Sequence, residues 1–160
     1  MTDFRRVTDD LSVSPQISLD DVAEAARLGF RTVINNRPDG EDPSQPQSAD
    51  VEAAAKAAGL AYHYIPVRGG PTADQVEETR ALLDEADGPV LAFCRSGTRS
   101  IVTWSLSQAT SGARSRDDLI GLGRAAGYDL SGELGGGFPT SGRSISSTAA
   151  ATRSRRSSGG

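Results

Sequence analysis

The 160-residue chain is 36% hydrophobic and 24% charged, with a formal net charge of −4 and one cysteine. That length suits one domain plus a tail, and one cysteine cannot form an internal disulfide. An acidic chain does not favour nucleic acid as a partner, and no apolar run approaches the ~18 residues that a membrane span needs.

The charge is uneven. All 21 acidic residues lie at or before Glu133, whereas Arg143, Arg153, Arg155 and Arg156 follow it. A local anion site in the acidic body must therefore hold its ligand against the surrounding field. The N-terminal MTDFRRVTDD has no apolar stretch behind its charges, so the expected compartment is the cytoplasm.

In chain order, residues 4–13 read as two short strands around Thr8-Asp9-Asp10. Ser18 offers an N-cap, and Leu19, Val22, Ala23, Ala26 and Leu28 follow at helical spacing up to Gly29. Residues 30–35 form a β-branched run suited to a buried strand. The stretch 36–48 is polar with three prolines, hence a loop. An alanine-rich helix over 49–58 ends at Gly59, and 60–67 reads as a strand with aromatics. After Arg68-Gly69-Gly70-Pro71, Thr72 and Gln75 make a capping box for a helix over 73–86. Val90-Leu91-Ala92-Phe93 is wholly apolar, as in a parallel sheet covered on both faces. Cys94-Arg95-Ser96-Gly97-Thr98-Arg99-Ser100 follows, then a helix over 101–108 and another over 117–126.

This alternation predicts an α/β domain over residues 1–130, with a mostly parallel central sheet and Cys94 at a strand's carboxyl end. From Ser131 the composition turns to Gly and Ser and the hydrophobic period stops. Residues 131–160 are therefore expected to be a disordered, dispensable tail.

A strand ending in cysteine, a glycine-containing loop and Arg-Ser opening a helix together suggest an anion cradle. The helix N-terminus contributes partial positive charge and unpaired N–H groups. The amides from Arg95 to Arg99 can turn inward as a nest, with Gly97 allowing the positive φ this needs. Arg99 adds a planar fork for an oxyanion. Ser100 and Thr98 supply hydroxyls able to reach the sulfur. Each effect favours thiolate over thiol, so Cys94 is expected to be a nucleophile at neutral pH. The competing reading is an inert, buried cysteine. Against it stand the flanking polar residues, two of them cationic, which do not suit a packed core.

Three stretches then resemble a known family: Asn35-Asn36-Arg37-Pro38-Asp39-Gly40, Tyr64-Ile65-Pro66-Val67 and Phe93-Cys94-Arg95-Ser96-Gly97-Thr98-Arg99-Ser100. They look like the beta-lactamase hydrolase-like, phosphatase-like domain family, over about residues 4–130. That family is related to dual-specificity and tyrosine phosphatases, and its members are described as phosphatases or as sulfur transferases. The resemblance implies a phosphatase-like αβα sandwich with Cys94 as nucleophile and Arg99 as oxyanion clamp.

Departures from the phosphatase pattern bear on the chemistry. Four residues separate Cys94 from Arg99, one fewer than in cysteine phosphatases, and the shorter loop is similar to that of rhodanese-type sulfurtransferases. Phe93 stands where phosphatases usually have histidine. No acid follows the Ile65-Pro66 strand before Asp74. Protonating an alkoxide leaving group contributes roughly 100- to 10,000-fold, whereas sulfite leaves thiosulfate without such help. The sequence reading thus ranks sulfur transfer through a Cys94 persulfide first. Phosphoester hydrolysis through a phosphocysteine is the alternative, and a non-catalytic anion-binding or redox-sensing module comes last. Asp74 can swing in, and Asp39 lies in the loop, so either can still serve an ester hydrolase.

Arg68 ends the neighbouring strand, where it either faces the pocket or is a solvated charge. Asn36, Arg37 and Asp39 follow another strand end, and Arg37 either bridges loops or lines the site. His63, the one histidine, reads as structural. No metal-ligand spacing, phosphate-loop lysine motif or dinucleotide fingerprint appears, so no metal or cofactor is expected. The expected partner is a small anion, whether thiosulfate, a persulfide or a phosphate ester. Neither nucleic acid nor a membrane is expected, and oligomeric state is left open.

Overall fold

The computed structural model describes residues 2–134. Residues 2–128 form one compact unit, and the described residues from Asp129 on belong to another. The first holds five strands: β1 (Arg5–Arg6), β2 (Leu11–Ser14), β3 (Thr32–Asn35), β4 (Ala61–Tyr64) and β5 (Val90–Phe93). They make one sheet in the order β1-β2-β5-β3-β4, with β1 antiparallel to β2 and every other pairing parallel.

Five helices accompany it: α1 (Leu19–Arg27), α2 (Ser48–Ala57), α3 (Ala73–Glu85), α4 (Thr98–Thr110) and α5 (Arg116–Ala125). Val33, Leu91 and Phe93 pack into one core with Val22 and Ala25 of α1 and Val51 and Ala55 of α2. Side chains alternate across a strand, so Val90 and Ala92 turn to the opposite face. There α4 packs on β2 and β5 and is flanked by α3 and α5. The result is the expected mostly parallel αβα sandwich. No helix among the described residues is long and apolar enough to cross a membrane.

Local signals set the helix starts. Ser18 Oγ accepts from Asp21 N at 3.1 Å while Ser18 N donates to Asp21 Oδ2 at 2.9 Å. Thr72 and Gln75 make the same reciprocal pair at 3.1 and 3.0 Å. Each closes two backbone donors that a helix end leaves open.

Two of the boundaries that differ from the sequence reading lie beside the site. The strand expected over 60–67 is only Ala61–Tyr64, because Pro66 has no N–H for a ladder. The helix expected from residue 101 begins at Thr98, where Gly97 is the N-cap and Ile101 N donates to Gly97 O at 3.0 Å. In the second unit, Ser131–Leu134 form a short helix, α6. The first four residues of the expected tail are therefore helical, and residues 135–160 lie outside the described residues.

Candidate active site

The parallel register brings Ser14, Phe93 and Asn35 side by side at the carboxyl ends of β2, β5 and β3. Backbone bonds then tie the exits. Cys94 N donates to Ser14 O at 3.3 Å and Asn36 N to Phe93 O at 2.8 Å. Cys94 is fully buried at the point where β5 ends.

One loop amide reaches the sulfur. Gly97 N donates to Cys94 Sγ at 3.1 Å. Gly97 has φ 93°, the left-handed region that disfavours a side chain. Outside the loop, the Arg95 carbonyl accepts from Gln16 N at 3.2 Å and the Ser96 carbonyl accepts from Tyr128 Oη at 2.9 Å. Carbonyls that face out leave the N–H groups of the same planar peptides facing in. The 13-residue α4 starts at once behind the loop, and its N-terminus adds favourable potential for an anion.

Arg99 lies in the first turn of α4, and its guanidinium is held on one edge. Nη1 and Nη2 donate to the two carboxylate oxygens of Glu41, each at 2.8 Å, and Nη1 also donates to Val67 O at 3.0 Å. Glu41 is held in turn by Arg37, whose Nε donates to Oε1 at 3.0 Å. The other end of the Arg37 fork, Nη1, donates to Gln16 Oε1 at 3.0 Å. The Arg99 hydrogen bond, and then that of Arg37, hold the Glu41 carboxyl down at about 2. Glu41 in turn raises Arg99. Glu41 is therefore a carboxylate at any pH a cell presents, and it acts as an orienting anion rather than an acid. The edge of Arg99 that it leaves free, Nε and the second Nη2 hydrogen, matches the planar demand of a tetrahedral oxyanion.

The other expected residues separate. Arg37 is buried, and its fork joins Glu41 to Gln16. Asp39 does not serve the cysteine loop: its Oδ1 accepts from Ser48 N at 2.7 Å, so it caps the start of α2. The Thr98 hydroxyl pairs with Ser96 Oγ at 3.0 Å rather than with the sulfur. Ser100 Oγ is buried without a hydrogen-bond partner. Arg95 and Arg68 are exposed at the rim, where Val67, beside Arg68, supplies the carbonyl for Arg99. His63 lies in the edge strand β4. It lines a cavity of about 480 Å³ with Thr32 and Glu78 that includes no residue of the cysteine loop. No group of three or more His, Cys, Asp or Glu side chains suited to a metal occurs among the described residues.

Glu41 and Tyr128 are the residues that sequence reasoning missed. Glu41 sits two positions past Asp39 in the same loop, but nothing in its spacing links it to an arginine 58 residues on.

Residues 3–111 match the family described as "Beta-lactamase hydrolase-like protein, phosphatase-like domain". A Beta-lactamase hydrolase-like protein from Xylella fastidiosa is 39% identical over 125 residues, which are 78% of this chain and 29% of that protein. The chain thus spans under a third of the length of that relative. Among solved structures, a candidate phosphatase from Neisseria meningitidis Z2491 aligns with a TM-score of 0.74 and 34% identity, over 84% of this chain and 95% of that one. A candidate phosphatase from Shewanella putrefaciens CN-32 shares the fold with a TM-score of 0.69 at 20% identity, over 89% and 91% of the two chains.

Proposed function

The chain belongs to the beta-lactamase hydrolase-like protein, phosphatase-like domain family, and from that premise we propose that it is a cysteine-dependent phosphoric monoester hydrolase. The observation that carries this reading is the pairing of one buried sulfur, contacted by the Gly97 N–H, with an arginine whose fork is already oriented by a carboxylate. A sulfur contacted by an amide and backed by an oriented guanidinium is suited to binding an anion. It favours a ligand with several equatorial oxygens over a neutral one.

In this reading the Cys94 thiolate attacks phosphorus and the ester oxygen leaves with the bonding pair. The loop amides and the free edge of Arg99 hold the phosphoryl oxygens throughout. Water then attacks the phosphocysteine, releasing inorganic phosphate and restoring the thiolate. Asp39 is engaged at α2 and Glu41 is held ionised. Neither therefore protonates the leaving group, and aryl phosphates, whose phenolates are stable with a parent pKa near ~10, should be cleaved well ahead of alkyl phosphates.

Sulfur transfer is the second reading. The four-residue spacing between Cys94 and Arg99 favours it, as does the engagement of both loop carboxylates, since sulfite needs no proton to leave. The phosphatase descriptions of the structural relatives put it behind hydrolysis, the reverse of the order drawn from sequence alone. One experiment separates the two. The protein is incubated with an aryl phosphate, or with thiosulfate and then cyanide, and product and intact mass are followed. Phosphate release with a trapped phosphocysteine supports hydrolysis. A mass gain of one sulfur atom with thiocyanate formation, and no phosphate release, overturns it.

A further inference from the structure

We propose that Tyr128 is a positioning residue that locks the Ser96–Gly97 peptide in the orientation the cysteine loop needs, an inference that rests on the anion-cradle reading above. The two hydrogen bonds involved lie on opposite edges of one peptide unit. Tyr128 Oη donates to the Ser96 carbonyl at 2.9 Å, and the N–H of Gly97 in that same peptide donates to Cys94 Sγ at 3.1 Å. A trans peptide is planar with its C=O and N–H antiparallel, so holding the carbonyl outward holds the N–H inward.

A flip of this unit is the loop's easiest failure. Gly97 has no Cβ to resist it, and its φ of 93° is one of several basins glycine visits freely. A flipped unit would turn the negative end of a carbonyl dipole toward the sulfur and toward any bound anion. The preceding peptide needs no such side chain, because the Arg95 carbonyl is tied to the backbone N of Gln16 at 3.2 Å.

Tyr128 is itself well fixed. Its backbone N donates to Gly123 O at 2.8 Å where α5 ends, and the Arg5 guanidinium lies 5.1 Å from its ring centroid. The hydroxyl also fills the space beside Gly97: a Cβ there would lie 2.1 Å from Oη. The tyrosine and the glycine are thus sterically matched. Tyr128 comes from beyond residues 3–111, the stretch that matches the family.

The test compares wild type, Tyr128→Phe and Arg6→Leu. Phenylalanine keeps the ring and removes only the hydroxyl. Leucine at position 6 removes an exposed cation of β1 that pairs with Asp9, and leaves Arg5 and the Tyr128 hydroxyl in place. Three readouts are taken: Gly97 amide exchange by NMR, the inorganic phosphate concentration that protects Cys94 from iodoacetamide, and kcat and KM toward an aryl phosphate. In Tyr128→Phe, Gly97 exchange should be about tenfold faster, protection should need about tenfold more phosphate, and kcat should fall more than KM rises, as expected for one lost hydrogen bond at a charged site. Arg6→Leu should stay within about twofold of wild type in all three.

Unchanged Gly97 exchange and phosphate affinity in Tyr128→Phe would overturn the lock, even with a lowered melting temperature. So would equal effects from the two variants, or an unprotected Gly97 amide in wild type. Exchange and protection need no turnover. If the protein hydrolyses no ester, the function proposed above fails while these two readouts still decide the role of Tyr128.

Discussion

Replacing Glu41 by glutamine tests whether the fork of Arg99 must be oriented in advance. The carboxylate takes two hydrogen bonds from Arg99 at 2.8 Å and one from the buried Arg37 at 3.0 Å. Its hold at about 2, against an ordinary 4.5, would correspond to about 3 kcal/mol of stability. The Glu41 side chain is 30% exposed, so water screens the pairs, and a loss of about 1–2 kcal/mol is the better figure.

The sign follows from the lowered value. The contribution is fully present above about 4.5 and is lost as pH falls toward 2. Denaturant unfolding at pH 7 should therefore find Glu41→Gln less stable by that amount, with the gap narrowing by about pH 3.

Activity should suffer more than stability. An oxyanion donor removed outright costs roughly 100- to 1,000-fold. A donor that is kept but no longer oriented should cost about 10- to 100-fold in kcat/KM toward an aryl phosphate. Because Glu41 is ionised throughout, the loss should be uniform from about pH 5 to 8. A variant with wild-type kcat/KM would refute the orienting role. A loss confined to the alkaline limb would instead mark Glu41 as a proton donor, and the reasoning from its held carboxylate would fail.

Cys94→Ser should abolish turnover while the protein still melts cooperatively, because a hydroxyl without a base is a poor nucleophile; residual turnover in a clean preparation would remove Cys94 from the chemistry. Arg99→Lys should lose at least about 100-fold in kcat/KM, since an ammonium cannot span both Glu41 and an oxyanion; near-normal rates would show that charge alone suffices. Gly97→Ala, with φ at 93° and its new methyl against Tyr128 Oη, should destabilise by about 1–3 kcal/mol in denaturant titrations; a change under about 0.5 kcal/mol would mean the loop relaxes without strain.

Much of this molecule was legible one segment at a time. Ser18 with Asp21 and Thr72 with Gln75 announced two helix starts, since a capping box spans only three residues and needs no tertiary partner. The apolar run Val90–Phe93 announced a strand buried on both faces. Cys94 at its end, with Gly97 and Arg99 behind it, suggested a cradle because loop amides, a helix terminus and a cation converge within a few residues. Where the helix behind the loop begins was less legible: Thr98 to Ser100 look like loop residues by type, and only the hydrogen bond from Ile101 N to Gly97 O puts them in the first turn.

The supports of the cradle were decided by the tertiary structure. Asp39, a loop acid that the sequence left open as a helper for ester hydrolysis, is taken up at the start of α2 by a backbone N–H nine residues away. Glu41, which the sequence reading did not single out, meets Arg99 across 58 residues, and Tyr128 reaches the Ser96 carbonyl across 32. Those pairings depend on the parallel register of β2, β5 and β3, which aligns the strand exits and so determines which loop faces which. A hydrogen-bond partner is selected by position in space, and residue type and spacing carry that information only within a turn or two of helix or across a single hairpin.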